Sequence, residues 1–176
     1  MNIFIIGPWW VGKSTSGEIL AKLLDYKFID LDKEFFNKIW YITKHIKEIW
    51  YEDYCLQNSN LFYKLLEETT EDTIFVLSSG FLVHENLEKL TNKHKITIKK
   101  EWFSILLLPS KSKGESTNIV VQRQLSRGFG LNEERERQKF RKRFDIYKKL
   151  GNIKIFSTDT PENIAKEMQE KIEIYK

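Results

Sequence analysis

The chain has 176 residues, 41% of them hydrophobic and 31% charged, with only 8 Gly and 3 Pro; this is the balance of one globular domain and excludes extended disorder or a collagen-like chain. A single Cys rules out an internal disulfide and a cysteine-built zinc cluster. The net charge of +4 is uneven: residues 111–150 hold twelve Lys or Arg against five Asp or Glu, a local +7 that leaves −3 elsewhere. No apolar run reaches the roughly 18 residues of a membrane span and no signal peptide is visible, so the expectation is a cytoplasmic protein without membrane contact.

The elements follow in order. Residues 2–6 are a short apolar run ending in Gly7, the pattern of a buried strand. Residues 13–24 place Ile19, Leu20, Leu23 and Leu24 at helical spacing. Residues 27–31 form a second strand that carries Asp30 and runs into Asp32. A helical region spans 33–69, with a break expected near Asp53. Residues 74–77 and 104–108 are further strands, the first followed by Ser78, Ser79 and Gly80. Ser116 or Thr117 is expected to cap a helix reaching Arg127. A glycine-containing loop follows, and Asn132 caps a charged helix running to Leu150 and closed by Gly151. Residues 154–156 are the last strand, and Thr160-Pro161 reads as cap and first position of a terminal helix. Strands alternating with helices predict a single domain over 1–176: an α/β, three-layer α/β/α fold around a five-stranded parallel sheet.

Two features carry chemistry. Gly7-Pro8-Trp9-Trp10-Val11-Gly12-Lys13-Ser14-Thr15 matches G-x-x-x-x-G-K-[ST] between a strand and an amphipathic helix, the setting of a nucleotide phosphate loop. Glycines let main-chain N–H groups close around phosphates, and the helix start adds partial positive charge. Lys13 then reaches the β- and γ-phosphates, and the Ser14 hydroxyl coordinates Mg²⁺. Trp9 and Trp10 stand where small residues are usual; they either pack against neighbouring helices or overhang the phosphate and exclude water. The second feature is arginine. All six arginines (Arg123, Arg127, Arg135, Arg137, Arg141, Arg143) lie in one stretch, and a guanidinium binds phosphate or carboxylate bidentately. Glu133, Glu134 and Glu136 interleave with them, so part of the stretch also reads as a solvated helix face, and those acids weigh against a nucleic-acid stripe. A GTP switch is disfavoured, because Asn92-Lys93-His94-Lys95 lacks the aspartate that reads guanine and no D-x-x-G follows the second strand.

Nearly the whole chain, in order, resembles the shikimate kinase family of small phosphate-loop kinases. Phe28-Ile29-Asp30-Leu31-Asp32 resembles that family's F-[IL]-D-x-D. Ser78-Ser79-Gly80 stands where it carries three glycines. Arg127-Gly128-Phe129-Gly130-Leu131 resembles the R-P-L-L lid, and Arg143-Phe144-Asp145-Ile146-Tyr147 resembles R-x-P-L-Y. The resemblance implies a kinase fold with a lid over 127–135, an acceptor-binding helical region over 33–70, ATP and Mg²⁺ as cofactors, and a small-molecule hydroxyl acceptor, in a monomer or weak dimer. It assigns Gly7 to Thr15, with Arg123, Thr158 and Pro161 beside the base, to nucleotide binding. It gives Ser14 and Asp30 to Mg²⁺, Asp30 through water. Lys13, Asp32 and Arg127 are the catalytic candidates; Asp32, Ser79, Gly80 and Arg143 hold the acceptor. Asp32 also reads as a cap for the helix beginning at Lys33.

The departures are specific. The family's F-R-x-x-E, whose arginine grips the shikimate carboxylate, aligns with Tyr54-Cys55-Leu56-Gln57-Asn58, so cysteine replaces arginine and asparagine replaces glutamate. Two of the three glycines are serine, and Trp10 fills a loop position where the family has glycine. The phosphoryl machinery reads as kept and the acceptor pocket as rebuilt, so the expectation is that shikimate is not the physiological acceptor or binds poorly. Phe35, Phe36, Trp40, Tyr41, Trp50, Tyr51 and Tyr54 are read as core packing or as an aromatic floor for a ring-shaped acceptor. Cys55 reads as a plain thiol, and His45, His84 and His94 as surface or core residues. The alternatives are a nucleoside or nucleoside monophosphate kinase, and a nucleotide-binding protein without catalysis.

Overall fold

Five apolar runs lie side by side as parallel strands: β1 (Asn2–Ile6), β2 (Lys27–Asp30), β3 (Thr73–Val76), β4 (Trp102–Leu108) and β5 (Ile153–Phe156), in the order β2-β3-β1-β4-β5. A computed structural model describes residues 1–38, 51–100, 102–128 and 130–175. Successive side chains of a strand point to opposite faces. Ile3, Phe4 and Ile5 of β1, and Ile105 to Leu108 of β4, have no exposed surface, so both faces of the sheet are covered, as parallel sheets require. Central β1 sets the register, with Ile3 opposite Ile74 and Phe4 opposite Phe75 on one side and Ile5 opposite Ile105 on the other.

Seven helices complete the described residues: α1 (Lys13–Leu24), α2 (Leu31–Lys38), α3 (Tyr51–Glu68), α4 (Glu88–Lys100), α5 (Lys113–Leu125), α6 (Glu133–Tyr147) and α7 (Pro161–Tyr175). The expected α/β fold with a five-stranded parallel sheet is the fold observed. Helix α1 packs on α7 and over β3, and α5 packs on α6. Gly17 lets α1 lie close on the sheet: a Cβ there would lie 2.8 Å from Val76 of β3 and 2.9 Å from Ile5 of β1. Under α3, Phe62 meets Phe81 at 4.9 Å and Phe4 at 6.1 Å between ring centroids, while His94 stacks on Phe81 at 3.9 Å. His94 is a core residue, bonded to Ser59 Oγ (2.8 Å) and the Phe81 carbonyl (3.1 Å), and burial pushes its imidazole down to about 4.

Several expectations are corrected. Helix α4 was not legible: its buried residues are Thr91, His94 and Ile98, so helical spacing is present but two of the three positions are polar. Helix α5 begins earlier than expected, capped by Ser112, whose hydroxyl accepts from the Glu115 amide. The Ser116 hydroxyl instead donates to the Ser110 carbonyl, and Thr117 donates to the Lys113 carbonyl within the helix. Asp53 lies in the first turn of α3, which opens at Tyr51, and residues 39–50 before it lie outside the described residues. β2 ends at Asp30, and Leu31 already opens α2. Asn132 caps α6 as expected, accepting from the Arg135 amide at 2.9 Å, but the helix ends at Tyr147, short of Leu150. Trp40, Tyr41, His45, Trp50 and Phe129 lie outside the described residues.

Candidate active site

The loop Gly7–Gly12 leaves the C-terminal end of β1, the centre of the sheet, where open α/β sheets bind ligands. A Cβ at Gly7 would lie 2.4 Å from the Leu107 carbonyl oxygen, so only glycine lets β1 close on β4 there. Gly12 turns the chain into α1 with φ of 92°, in the left-handed region that glycine enters freely. No side chain caps α1 and no acidic residue sits in its first turn, so its leading amides are left to a bound anion. Lys13 folds back over the loop, its ammonium donating to the Gly7 (2.9 Å) and Pro8 (2.7 Å) carbonyls. Burial pushes it down to about 8, against the opposing pull of Asp32 and Asp30. Ser14 and Thr15 follow in the first turn, half-buried and exposed respectively.

The carboxylates divide their work. Asp30 is buried and caps α2, its Oδ1 accepting from the amides of Asp32 (3.0 Å) and Lys33 (3.2 Å). The cap is therefore Asp30, not Asp32, and Asp32 is left for another role. Its Oδ1 accepts from the Ser78 hydroxyl at 2.5 Å and from the Tyr54 hydroxyl at 3.4 Å. Burial holds its carboxyl above the ordinary range; the bond from Ser78 and the Lys13 charge oppose this. Asn58 Nδ2 donates in turn to Ser78 Oγ at 2.9 Å, while Asn58 Oδ1 is buried without a hydrogen bond. Sequence reasoning named Ser79 and Gly80 here and missed Ser78 and Asn58, although both stand at positions where the family motifs change. The Ser79 carbonyl takes the hydroxyl of buried Tyr147, tying α6 to this loop. A Cβ on Gly80 would lie 2.8 Å from His84 and 3.1 Å from the Tyr51 hydroxyl, which explains why this third residue stays glycine.

At Cys55, the position that the family pattern aligns with its carboxylate-gripping arginine, the immediate partners are the uncharged side chains of His84 and Tyr51, with Arg143 nearby. Cys55 is 2% exposed, its Sγ 3.7 Å from His84 Nδ1, and burial pushes its thiol up to about 11. The Tyr51 hydroxyl is 3.0 Å from the same nitrogen. Burial, aided by nearby Arg143, pushes His84 down to about 4, so it is uncharged at neutral pH. Cys55 thus has a histidine neighbour in space that its sequence surroundings did not show. Tyr51, His84 and Glu85 wall a cavity of about 560 Å³ together with Arg135, Lys139 and Arg143 of α6. Lys139 and Arg143 also line a slot of about 40 Å³ against Pro8, Trp9 and Ser79 of the phosphate-loop side. Arg143 Nε is buried without a hydrogen bond, its nearest carboxylate, Glu85, being 4.0 Å away. That nitrogen is a buried donor of this pocket without an acceptor among the described residues.

The other arginines sort themselves. Arg123 Nη1 donates to the Trp10 carbonyl at 2.9 Å, and the Arg127 guanidinium sits 4.2 Å over the Trp10 ring. Trp9 is 44% exposed at the slot, so the pair divides: Trp10 receives the arginines and Trp9 faces the opening. Arg137 pairs with Glu133 (2.8 Å) and Asn118 (2.6 Å), the solvated-face reading. Thr158 is exposed, and Thr160 Oγ1 accepts from the Asn163 amide at 3.3 Å, capping α7 at Pro161 as expected. Among the described residues no helix is long and apolar enough to cross a membrane.

Comparison with known proteins places the chain in one family. The shikimate kinase family model matches residues 11–173. The chain is 29% identical over 174 residues to a shikimate kinase of Sulfurihydrogenibium sp., covering 97% of each chain. Among solved structures it is similar to shikimate kinase from Acinetobacter baumannii in complex with shikimate (TM-score 0.79, 18% identity, 99% and 94% of the two chains). It also shares its fold with deoxyadenosine kinase from M. mycoides (TM-score 0.61, 14% identity, all of both chains). The chain belongs to the shikimate kinase family of ATP-dependent kinases that act on a hydroxyl acceptor.

Proposed function

We propose that this kinase phosphorylates a hydroxyl of a small acceptor other than shikimate, held between Asp32 and Arg143. The observation that carries the reading is the neutral Cys55–His84–Tyr51 cluster, which stands where the family grips a carboxylate with arginine. The loop amides and Lys13 hold the triphosphate of ATP. Ser14 would bind Mg²⁺ directly and Asp30 through water, a hard-oxygen donor set that suits this ion. No group of three or more His, Cys, Asp or Glu among the described residues could hold a metal unaided, so the ion would arrive with the nucleotide. When bound, it neutralises charge on the β- and γ-phosphates.

Asp32 orients the acceptor hydroxyl and takes its proton as the oxygen bonds to the γ-phosphorus and the bond to ADP breaks. Its raised pKa makes it a stronger base than an ordinary carboxylate. Ser78 and Tyr54 both donate to Oδ1 and fix the carboxylate for this task. Arg143 grips a polar or anionic part of the acceptor. Arg127 brings positive charge to the transferring phosphoryl group, and closure of 127–135 keeps water out. Thr158, Pro161 and Arg123 border the base.

The test is an ADP-release panel over cyclitols, sugars, nucleosides, nucleoside monophosphates and aminoglycosides, with shikimate included and Lys13→Ala as control. Saturable release with an acceptor other than shikimate, abolished by Lys13→Ala, supports the reading. Saturation by shikimate alone refutes it, and release with no acceptor dependence would favour nucleotide binding without transfer.

A further inference from the structure

Trp10 fills a phosphate-loop position where the family pattern has glycine, and it does so at φ of 61°, in the left-handed region that bulky residues rarely enter. Two arginines four residues apart, at the end of α5 and just beyond it, converge on it. Arg123 Nη1 donates to its carbonyl (2.9 Å), and Arg127 lies 4.2 Å over its ring. Contact through a ring face engages the face of a guanidinium and leaves its in-plane N–H donors for phosphate oxygens. The main-chain carbonyl would hold Arg123 whatever side chain stood there; the ring is what adds Arg127.

We infer that Trp10 is a positioning residue for phosphoryl transfer: its indole holds Arg127 at the rim of the phosphate loop, so that this charge is in place before the acceptor arrives. The inference rests on the reading of Arg127 given above, and it adds a residue that the family motif does not supply. Replacement by glycine removes the ring but also relieves the backbone at φ of 61°, so Trp10→Phe, which keeps a ring, and Trp10→Leu, which keeps a Cβ without one, separate the ring's role from the loop's conformation.

The experiment uses the whole chain and ADP release from Mg-ATP with water as acceptor, a probe reaction that needs no identified substrate. Mg-ADP affinity is measured in parallel by calorimetry. Trp10→Gly is expected to slow release by roughly 3- to 30-fold, the range of a cation–π contact, with a smaller change in Mg-ADP affinity. Trp10→Phe should retain most of the rate. Trp10→Gly combined with Arg127→Ala should be no slower than Arg127→Ala alone. Multiplicative losses in the double variant, or a Phe variant as slow as the Gly variant, would overturn the inference. So would a Gly variant at full rate beside a slow Arg127→Ala. If Arg127→Ala itself runs at full rate, the fault lies in the role given to Arg127, and the inference falls with it. Trp10→Leu repeats the test if the glycine variant unfolds.

Discussion

Ser78→Ala is the most informative single change at the acceptor side. The Ser78 hydroxyl donates to Asp32 Oδ1 at 2.5 Å and accepts from Asn58 Nδ2 at 2.9 Å. Its loss leaves Asp32 with the weaker Tyr54 contact at 3.4 Å and Asn58 Nδ2 with the Tyr54 hydroxyl at 3.5 Å. A hydrogen bond to a charged group is worth about 1.5–3 kcal/mol, and each pH unit corresponds to about 1.4 kcal/mol, so the change should raise the Asp32 pKa by about one to two pH units. Burial already holds that carboxyl above the ordinary range, and the Ser78 bond is the largest influence opposing it. Removal therefore moves the pKa further up. The assay is kcat/KM against pH, whose acid limb reports the free enzyme's base. The limb should move to higher pH by that amount while the rate at the plateau falls less.

The same shift has a stability sign. A carboxyl whose folded pKa lies above its unfolded value binds its proton more tightly when folded. Its contribution is present at low pH and is lost as pH rises through the folded pKa. Ser78→Ala should thus cost more stability at neutral pH than in acid. An acid limb that stays in place, with a stability loss equal at both pH values, would refute the assignment of Asp32 as base and the role of Ser78 in tuning it.

Three further outcomes follow from named contacts. Lys13 sits at about 8 in the nucleotide-free chain, so Mg-ATP affinity should fall as pH rises through about 8. The stability of the nucleotide-free chain should rise over the same interval, because the unfolded state, with Lys13 at its ordinary value, binds more protons there; calorimetric titration and thermal unfolding across pH read the two slopes. Cys55→Arg alone should destabilise, since it puts a cation into a site that is 2% exposed and beside Arg143, whereas adding Asn58→Glu should recover part of the loss and raise activity toward shikimate; thermal unfolding and ADP release compare the variants, and equal shikimate activity in all three would contradict the account. Phe62→Ala removes the ring shared by Phe4, Phe75 and Phe81 and should cost about 3–5 kcal/mol in denaturant unfolding, leaving the m-value unchanged.

The parallel sheet and the phosphate loop could be read in advance because local pattern dictates them: unbroken apolar runs are buried on both faces, and Gly7, Gly12 and Lys13 each answer a local steric or electrostatic demand. Helix α4 escaped because Thr91 and His94 are buried through their own hydrogen bonds, and a polar residue in a core carries no hydropathy signal. Ser112 was passed over as a cap for Ser116 and Thr117, since three hydroxyls within six residues offer competing starts and only the loop geometry selects one. At the site, Asp32 was identified but its supports were not. Ser78 reaches it from 46 positions away and is itself held by Asn58, 20 positions from Ser78, separations that no local pattern encodes. The Cys55–His84 pair, 29 residues apart, was hidden for the same reason.

If the phosphoryl-transfer machinery is kept while the carboxylate grip for shikimate is gone, shikimate should not be turned over. The decisive measurement is steady-state ADP release with shikimate as the sole acceptor, for wild type, Lys13→Ala and the Cys55→Arg/Asn58→Glu variant. The account predicts a wild-type rate no higher than the acceptor-free rate and a gain in the double variant. A saturable wild-type response to shikimate, lost in Lys13→Ala, would contradict it.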